Sequence, residues 1–291
     1  MENNNITQII IDTINNIFET LFSSIDNNLY NVLDDITFIN SDILNDKNFE
    51  NIFGTSTTNG ILLIANSLLL AFILYYSVRY LMSHFTYHQT ESPISFVMKL
   101  ILYGIAMNCS FFIISFILDL NSNISLALRG LGESLFGKSV CFSELITTIN
   151  SNMSINTSSI DIFSLDGLIK GTLSISLLNL VFSYSLRYIM IKVLILLSPF
   201  AILSLTLNST SWFFKAWAKN LFALLFIQII IAFILLILFS MNYSSTNLFS
   251  KFIYIGGIYA LIQANSFVRE FIGSISTNIT QTVKNLSGFK K

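Results

Sequence analysis

The residues most able to do chemistry are His84 and His88, four apart, with Glu91 three further on. On a helix that spacing turns both imidazoles to one face, which is how a metal site begins. Zinc needs at least one more convergent ligand. None is identifiable, so the pair reads as part of a solvated turn at a membrane end. Cys109 lies in an apolar run and Cys141 in a polar one, without a CxxC motif, so no disulfide is expected. Gly130 and Gly132 in RGLGES lack the Lys-Ser/Thr pair of a phosphate loop. No catalytic triad, metal-hydrolase motif or nucleotide fingerprint is present. The chain is therefore expected to hold no catalytic residue, no cofactor and no metal, and not to be an enzyme.

The elements that carry these residues are dominated by hydrocarbon. Hydrophobic residues make up 53% of the 291-residue chain and charged residues 11%, against about 25% charged in an ordinary soluble domain. The apolar runs are continuous and do not alternate with period two, which excludes an outer-membrane barrel pattern. An all-α integral membrane protein follows, a bundle of five to six transmembrane helices with an extramembrane N-terminal amphipathic helix.

Spans are expected at about Ile61 to Leu81, Pro93 to Leu118, Leu168 to Met190, the Val193–Leu207 run kinked at Pro199, Leu221 to Met241, and a weaker one at Phe252 to Val268. Residues 1–58 form an acidic helical region, 59–272 the bundle with a 119–166 loop, and 273–291 a basic tail. Residues 1–30 lack the basic start and apolar core of a cleavable leader, so the first span is expected to serve as the insertion signal. In the first region Ile10, Ile14, Ile17, Leu21, Ile25 and Leu29 recur at helical spacing. An acidic opposite face suits protein better than anionic lipid, so Ile14, Ile17 and Leu21 are the expected oligomer contact.

Between the fourth and fifth runs lies Trp212-Phe213-Phe214-Lys215-Ala216-Trp217, with Lys219 beyond. Aromatic rings suit headgroup depth and lysines reach past them to water. Pro199, Trp212, Lys215, Trp217 and Lys219 are accordingly the expected interface and packing residues. Pro199 is read as a static kink whose freed carbonyl a neighbour such as Ser198 meets. Lys and Arg in short loops set orientation. Arg79 with Lys99, and Arg187 with Lys192 in a tight connection, mark the cytoplasmic side. That leaves the N-terminus and the 119–166 loop outside, and Lys215 and Lys219 outside as well, against the rule. Asp and Glu are absent from every expected span interior, where a coupled carrier places its ion site. Asn66, Asn108, Asn179, Gln228, Gln263 and Asn265 are the interior polar groups, expected to bond between helices.

From about Leu168 to Gly273 the chain resembles the TrbL/VirB-type polytopic inner-membrane channel subunit of type IV secretion (conjugation) systems. The resemblance rests on Leu197-Ser198-Pro199-Phe200, the Trp212–Trp217 stretch, the long apolar helix after it, and the closing run from Gln263 to Gly273. It implies a homo-oligomeric scaffold or channel in the cytoplasmic membrane, moving DNA or protein. The implied partners are the lipid bilayer, VirB-type assembly ATPases, pilus or mating-channel subunits, and DNA in transit. The alternatives are a stand-alone small-solute permease or an accessory immunity- or holin-like membrane protein.

Overall fold

The computed structural model describes residues 9, 12, 13, 16, 17, 32–54, 60–86, 92–152, 165–241 and 248–272. Among them the regular structure is entirely helical. After a helical segment at 32–37 and a 3-10 turn at Ser41–Leu44 come α1 (Lys47–Phe53), α2 (Ile61–Thr86), α3 (Pro93–Asn108), α4 (Ser110–Phe136) and α5 (Phe142–Asn152). Then follow α6 (Leu165–Leu196), α7 (Ser198–Leu203), a 3-10 turn at Ser204–Thr206, α8 (Ser211–Ser240) and α9 (Leu248–Ile272). Among the described residues four helices are long and apolar enough to cross a membrane: Ile61–Phe85, Ser110–Phe136, Gly171–Leu196 and Ser211–Ser240. The apolar stretches Pro93–Asn108 and Phe252–Val268 are shorter.

Three boundaries differ from the sequence expectation. The run from Pro93 to Leu118 is two helices, broken at Cys109, whose backbone turns to φ −87°, ψ 4°. The second of them, α4, continues to Phe136, so residues 119–136 are helix and part of a membrane-length element, not the start of a polar loop. Asp119 and Glu133 thus fall inside a candidate span. Finally, α6 runs unbroken through Arg187 and Lys192 to Leu196, so no tight connection separates a third span from a fourth.

The helix breaks at Leu197 because Pro199 has no N–H to give and its ring clashes with the carbonyl four residues back. The Pro199 run then becomes the short, buried α7 and the 3-10 turn after it. Ser198 does not meet the freed carbonyl; its buried hydroxyl has no partner among the described residues.

The described residues group into two compact units. One comprises 39–122 and 189–225. Its core joins Ala65 of α2, Met107 of α3, and Ile202 and Leu203 of α7, with Leu69, Phe72, Phe200 and Phe214 packed around them. Buried Gly104 lets Leu69 approach α3; a Cβ there would meet the leucine at 3.1 Å. Beside it Asn66 and Asn108 bond reciprocally, amide to amide, at 3.1 and 3.2 Å. Each amide also donates to its own helix, Asn66 to the Leu62 carbonyl and Asn108 to that of Gly104. Neutral amides that satisfy each other in this way tie two apolar helices together at a gain of about 0.6 kcal/mol per bond.

The corner between α1 and α2 depends on two glycines. Gly54 ends α1 in the left-handed region at φ +93°, its N–H bonded to the Glu50 carbonyl, a conformation that Cβ disfavours. A Cβ on Gly60 would lie 2.6 Å from the Gly54 Cα and 2.8 Å from its nitrogen, and neither backbone atom can swing away. Gly60→Ala is expected to lower stability by about 2–3 kcal/mol, read as a lower unfolding temperature in detergent. Gly130→Ala, inside α4 with open space around its Cα, is expected to raise the temperature slightly, since alanine favours the helix by about 0.5–1 kcal/mol.

The other unit takes in the described residues of 1–38, 123–188 and 226–272. Its interior is lined by Phe142 and Leu145 of α5, Leu177 and Leu180 of α6, Ile231 and Leu235 of α8, and Ile258 and Leu261 of α9. Gly132 sits where a Cβ would strike Val140 and Leu236, and Gly257 where one would strike Leu238; both let neighbouring elements close in.

Candidate functional site: the buried arginine of α6

Within the second unit, α6 carries Ser183, Tyr184 and Arg187 on one face, all buried, the arginine completely. An ionisable side chain inside an apolar helix of membrane length is costly and by default marks a functional position. One partner lies in the N-terminal segment. The Arg187 guanidinium donates to the Thr37 carbonyl at 3.1 Å. Thr37 is the last helical residue of the 32–37 segment, where carbonyls have lost their helical partners and the dipole favours a cation. Arg187 thus acts as a C-terminal cap supplied by another element.

A second arginine completes the hold. Arg129 of α4 donates through Nε to the Val140 carbonyl at 2.7 Å, and its guanidinium lies 4.2 Å from the centre of the Phe38 ring, a cation–π contact. Phe38 also faces Phe142 at 6.3 Å between ring centres, and Phe142 in turn faces Tyr184 at 6.2 Å.

The reciprocal contact comes from Asp34, whose two carboxylate oxygens accept the backbone N–H groups of Phe142 and Ser143 at 2.9 and 3.2 Å. A carboxylate at the start of α5 is favoured by the helix dipole. Burial pushes the Asp34 carboxyl above its usual range, while those N–H groups and Arg129 pull it back. So the 32–38 segment is capped by the bundle at one point and caps the bundle at another.

Around this clamp the helices exchange neutral hydrogen bonds. Gln228 of α8 donates to Ser125 of α4 at 3.0 Å, and Asn265 of α9 to Ser183 of α6 at 2.6 Å. The Tyr184 hydroxyl donates to the Leu261 carbonyl at 2.9 Å. To these links α4, α8 and α9 each contribute one buried side chain and α6 contributes two, Ser183 and Tyr184. Of the interior amides singled out in the sequence, Asn66, Asn108, Gln228 and Asn265 do bond between helices, whereas Gln263 bonds within α9, to Tyr259.

The expected interface residues divide. Pro199 and Trp217 are buried, and the Trp217 Nε1 donates to the Leu194 carbonyl at 2.7 Å; they pack the protein and do not face headgroups. Trp212, Lys215 and Lys219 are exposed and belong to the first turns of α8, not to a turn between spans. Of the expected oligomer contact, Ile17 is 55% exposed, and Ile14 and Leu21 lie outside the described residues, as do His88 and Glu91. His84 is exposed, with Nδ1 3.2 Å from the Tyr80 carbonyl.

Sequence reasoning missed Arg187, Arg129 and Asp34. It placed Arg187 at the end of a third span and Lys192 in a tight connection after it, whereas both lie inside one longer helix. No known protein family, curated protein or solved structure matches the chain.

Proposed function

We propose that the chain is an oligomeric scaffold or channel subunit of the cytoplasmic membrane, part of a type IV secretion- or conjugation-like apparatus that moves DNA or protein and draws its energy from partner ATPases. The observation that carries the assembly part is the uncovered face of α2. Only 6% of its most apolar window is buried, against 56% for α8, and Leu70, Leu74, Leu81 and Phe85 stand open. Such a surface is covered by lipid or by another subunit, and repeated copies joined through it enclose a path that no single copy needs to contain. The secretion part rests on the resemblance across residues 168–273.

Disulfide trapping tests the assembly. Cys109 is exposed and Cys141 buried, so Cys109→Ser gives a quiet background for Leu70→Cys or Leu74→Cys. Oxidation in native membranes is expected to yield covalent dimers of both variants; monomer alone would leave α2 facing lipid and remove the support.

A second reading, a self-contained solute carrier, is favoured by the buried Ser125–Gln228 and Ser183–Asn265 links. It requires solute flux into vesicles holding this chain alone, lost on Asn265→Leu.

A further inference from the structure

α8 has 30 residues, about 45 Å of helix, which exceeds the roughly 30 Å of bilayer hydrocarbon. The excess lies at its start, because Lys215 and Lys219 are the charged residues of α8 and the chain carries no charge from Asn220 to Ser250. Trp212, Lys215, Lys219 and Phe222 follow at spacings of three, four and three, one face of the helix. All four are exposed, whereas Trp217 and Leu221, on another face, are buried.

The two tryptophans contrast sharply. Trp217 spends its N–H on the Leu194 carbonyl, while the Trp212 N–H, and both ammonium groups, have no hydrogen-bond or ion-pair partner among the described residues. A third ammonium joins from α3. Lys99 Nζ lies 3.4 Å from Asn208 Oδ1, three residues before α8 begins. That contact brings Lys99 to the same end as Lys215 and Lys219, which sequence alone had assigned to opposite sides.

We propose that this face is a seat for anionic phospholipid headgroups of the phosphatidylglycerol kind. Lys215 and Lys219, one turn apart, attract the phosphodiester; the Trp212 N–H donates to phosphate or ester oxygen, and Phe222 lies along the first acyl carbons. A zwitterionic phosphatidylcholine presents the same phosphate beside its own cation and is held less well. The anionic leaflet then lies at this end of α8, and Lys99, Lys215 and Lys219 all obey the Lys/Arg rule together.

Bromolipid quenching tests this in the full chain. The Trp217→Phe protein is placed in nanodiscs of one part phosphatidylglycerol to three parts phosphatidylcholine, with bromine on the acyl chains of one lipid at a time. Brominated phosphatidylglycerol is expected to quench Trp212 as if enriched about threefold over its mole fraction, each lysine favouring an anionic surface. Lys215→Gln with Lys219→Gln should return quenching to the mole fraction. If Trp217→Phe does not fold, the difference between the native chain and Trp212→Phe yields the same signal. Quenching at the mole fraction in the native chain, enrichment that survives loss of both lysines, or quenching by aqueous iodide with no bromolipid response would each overturn the assignment.

Discussion

Arg187→Met should release the 32–38 segment from the bundle while the helices stay folded. Methionine keeps most of the volume in a site with no exposure, so the change isolates the polar contribution. The Thr37 carbonyl loses its donor, and a buried acceptor without a partner costs about 2 kcal/mol. Part of that is offset because a cation no longer has to be held away from water. Amide exchange in residues 32–38, and in Phe142 and Ser143 that depend on Asp34, is expected to rise by an order of magnitude or more, with little change in α8. Arg187→Ala adds a cavity and is expected to cost about 4 kcal/mol in all. Arg187→Lys keeps the charge but not the planar fork, and should recover only part of the protection. Unchanged exchange in 32–38 for the methionine variant would mean that the Phe38 and Asp34 contacts hold the segment unaided.

Trp217→Ala is expected to cost about 4 kcal/mol, from lost packing of a buried indole and an orphaned Leu194 carbonyl. The carbonyl lies in the last turn of α6, just ahead of the Pro199 break, where the helix itself cannot supply every donor. Trp217→Phe retains most of the packing and should cost about 1–2 kcal/mol, mainly the hydrogen bond. Trp212→Ala, at 66% exposure, is expected to change stability by less than about 0.5 kcal/mol. Unfolding by denaturant in detergent separates the three. Equal losses at both tryptophans would contradict the division into a packed ring and an exposed one.

The contrast between those rings shows what a sequence can and cannot carry. The apolar runs at 61–81 and 221–241 were legible because almost nothing polar interrupts them, though not the start of α8 at Ser211, which Lys215 and Lys219 disguise. The bonds made by Asn66, Asn108, Gln228 and Asn265 were legible because an amide set in an apolar run needs a partner. Helix 119–136 was not legible. Its Asp119, Asn121, Arg129 and Glu133 resemble a loop until Arg129 is seen engaged with Val140 and with Phe38, the second of them far back along the chain. Arg187 was misassigned for the same reason, since the Thr37 carbonyl that accepts from its guanidinium lies 150 residues away. Pro199 announced a break, but not whether the chain after it would cross the bilayer or fold back into a buried turn. That choice belongs to Ala65 and Met107, against which α7 packs.

The measurement that bears most directly on the proposed role is crosslinking in native membranes, followed by affinity isolation of the chain and mass spectrometry of what accompanies it. The scaffold reading predicts crosslinks between copies through α2, together with a secretion-type ATPase and other channel subunits. A chain that returns alone, with its α2 face linked to no protein, would contradict it.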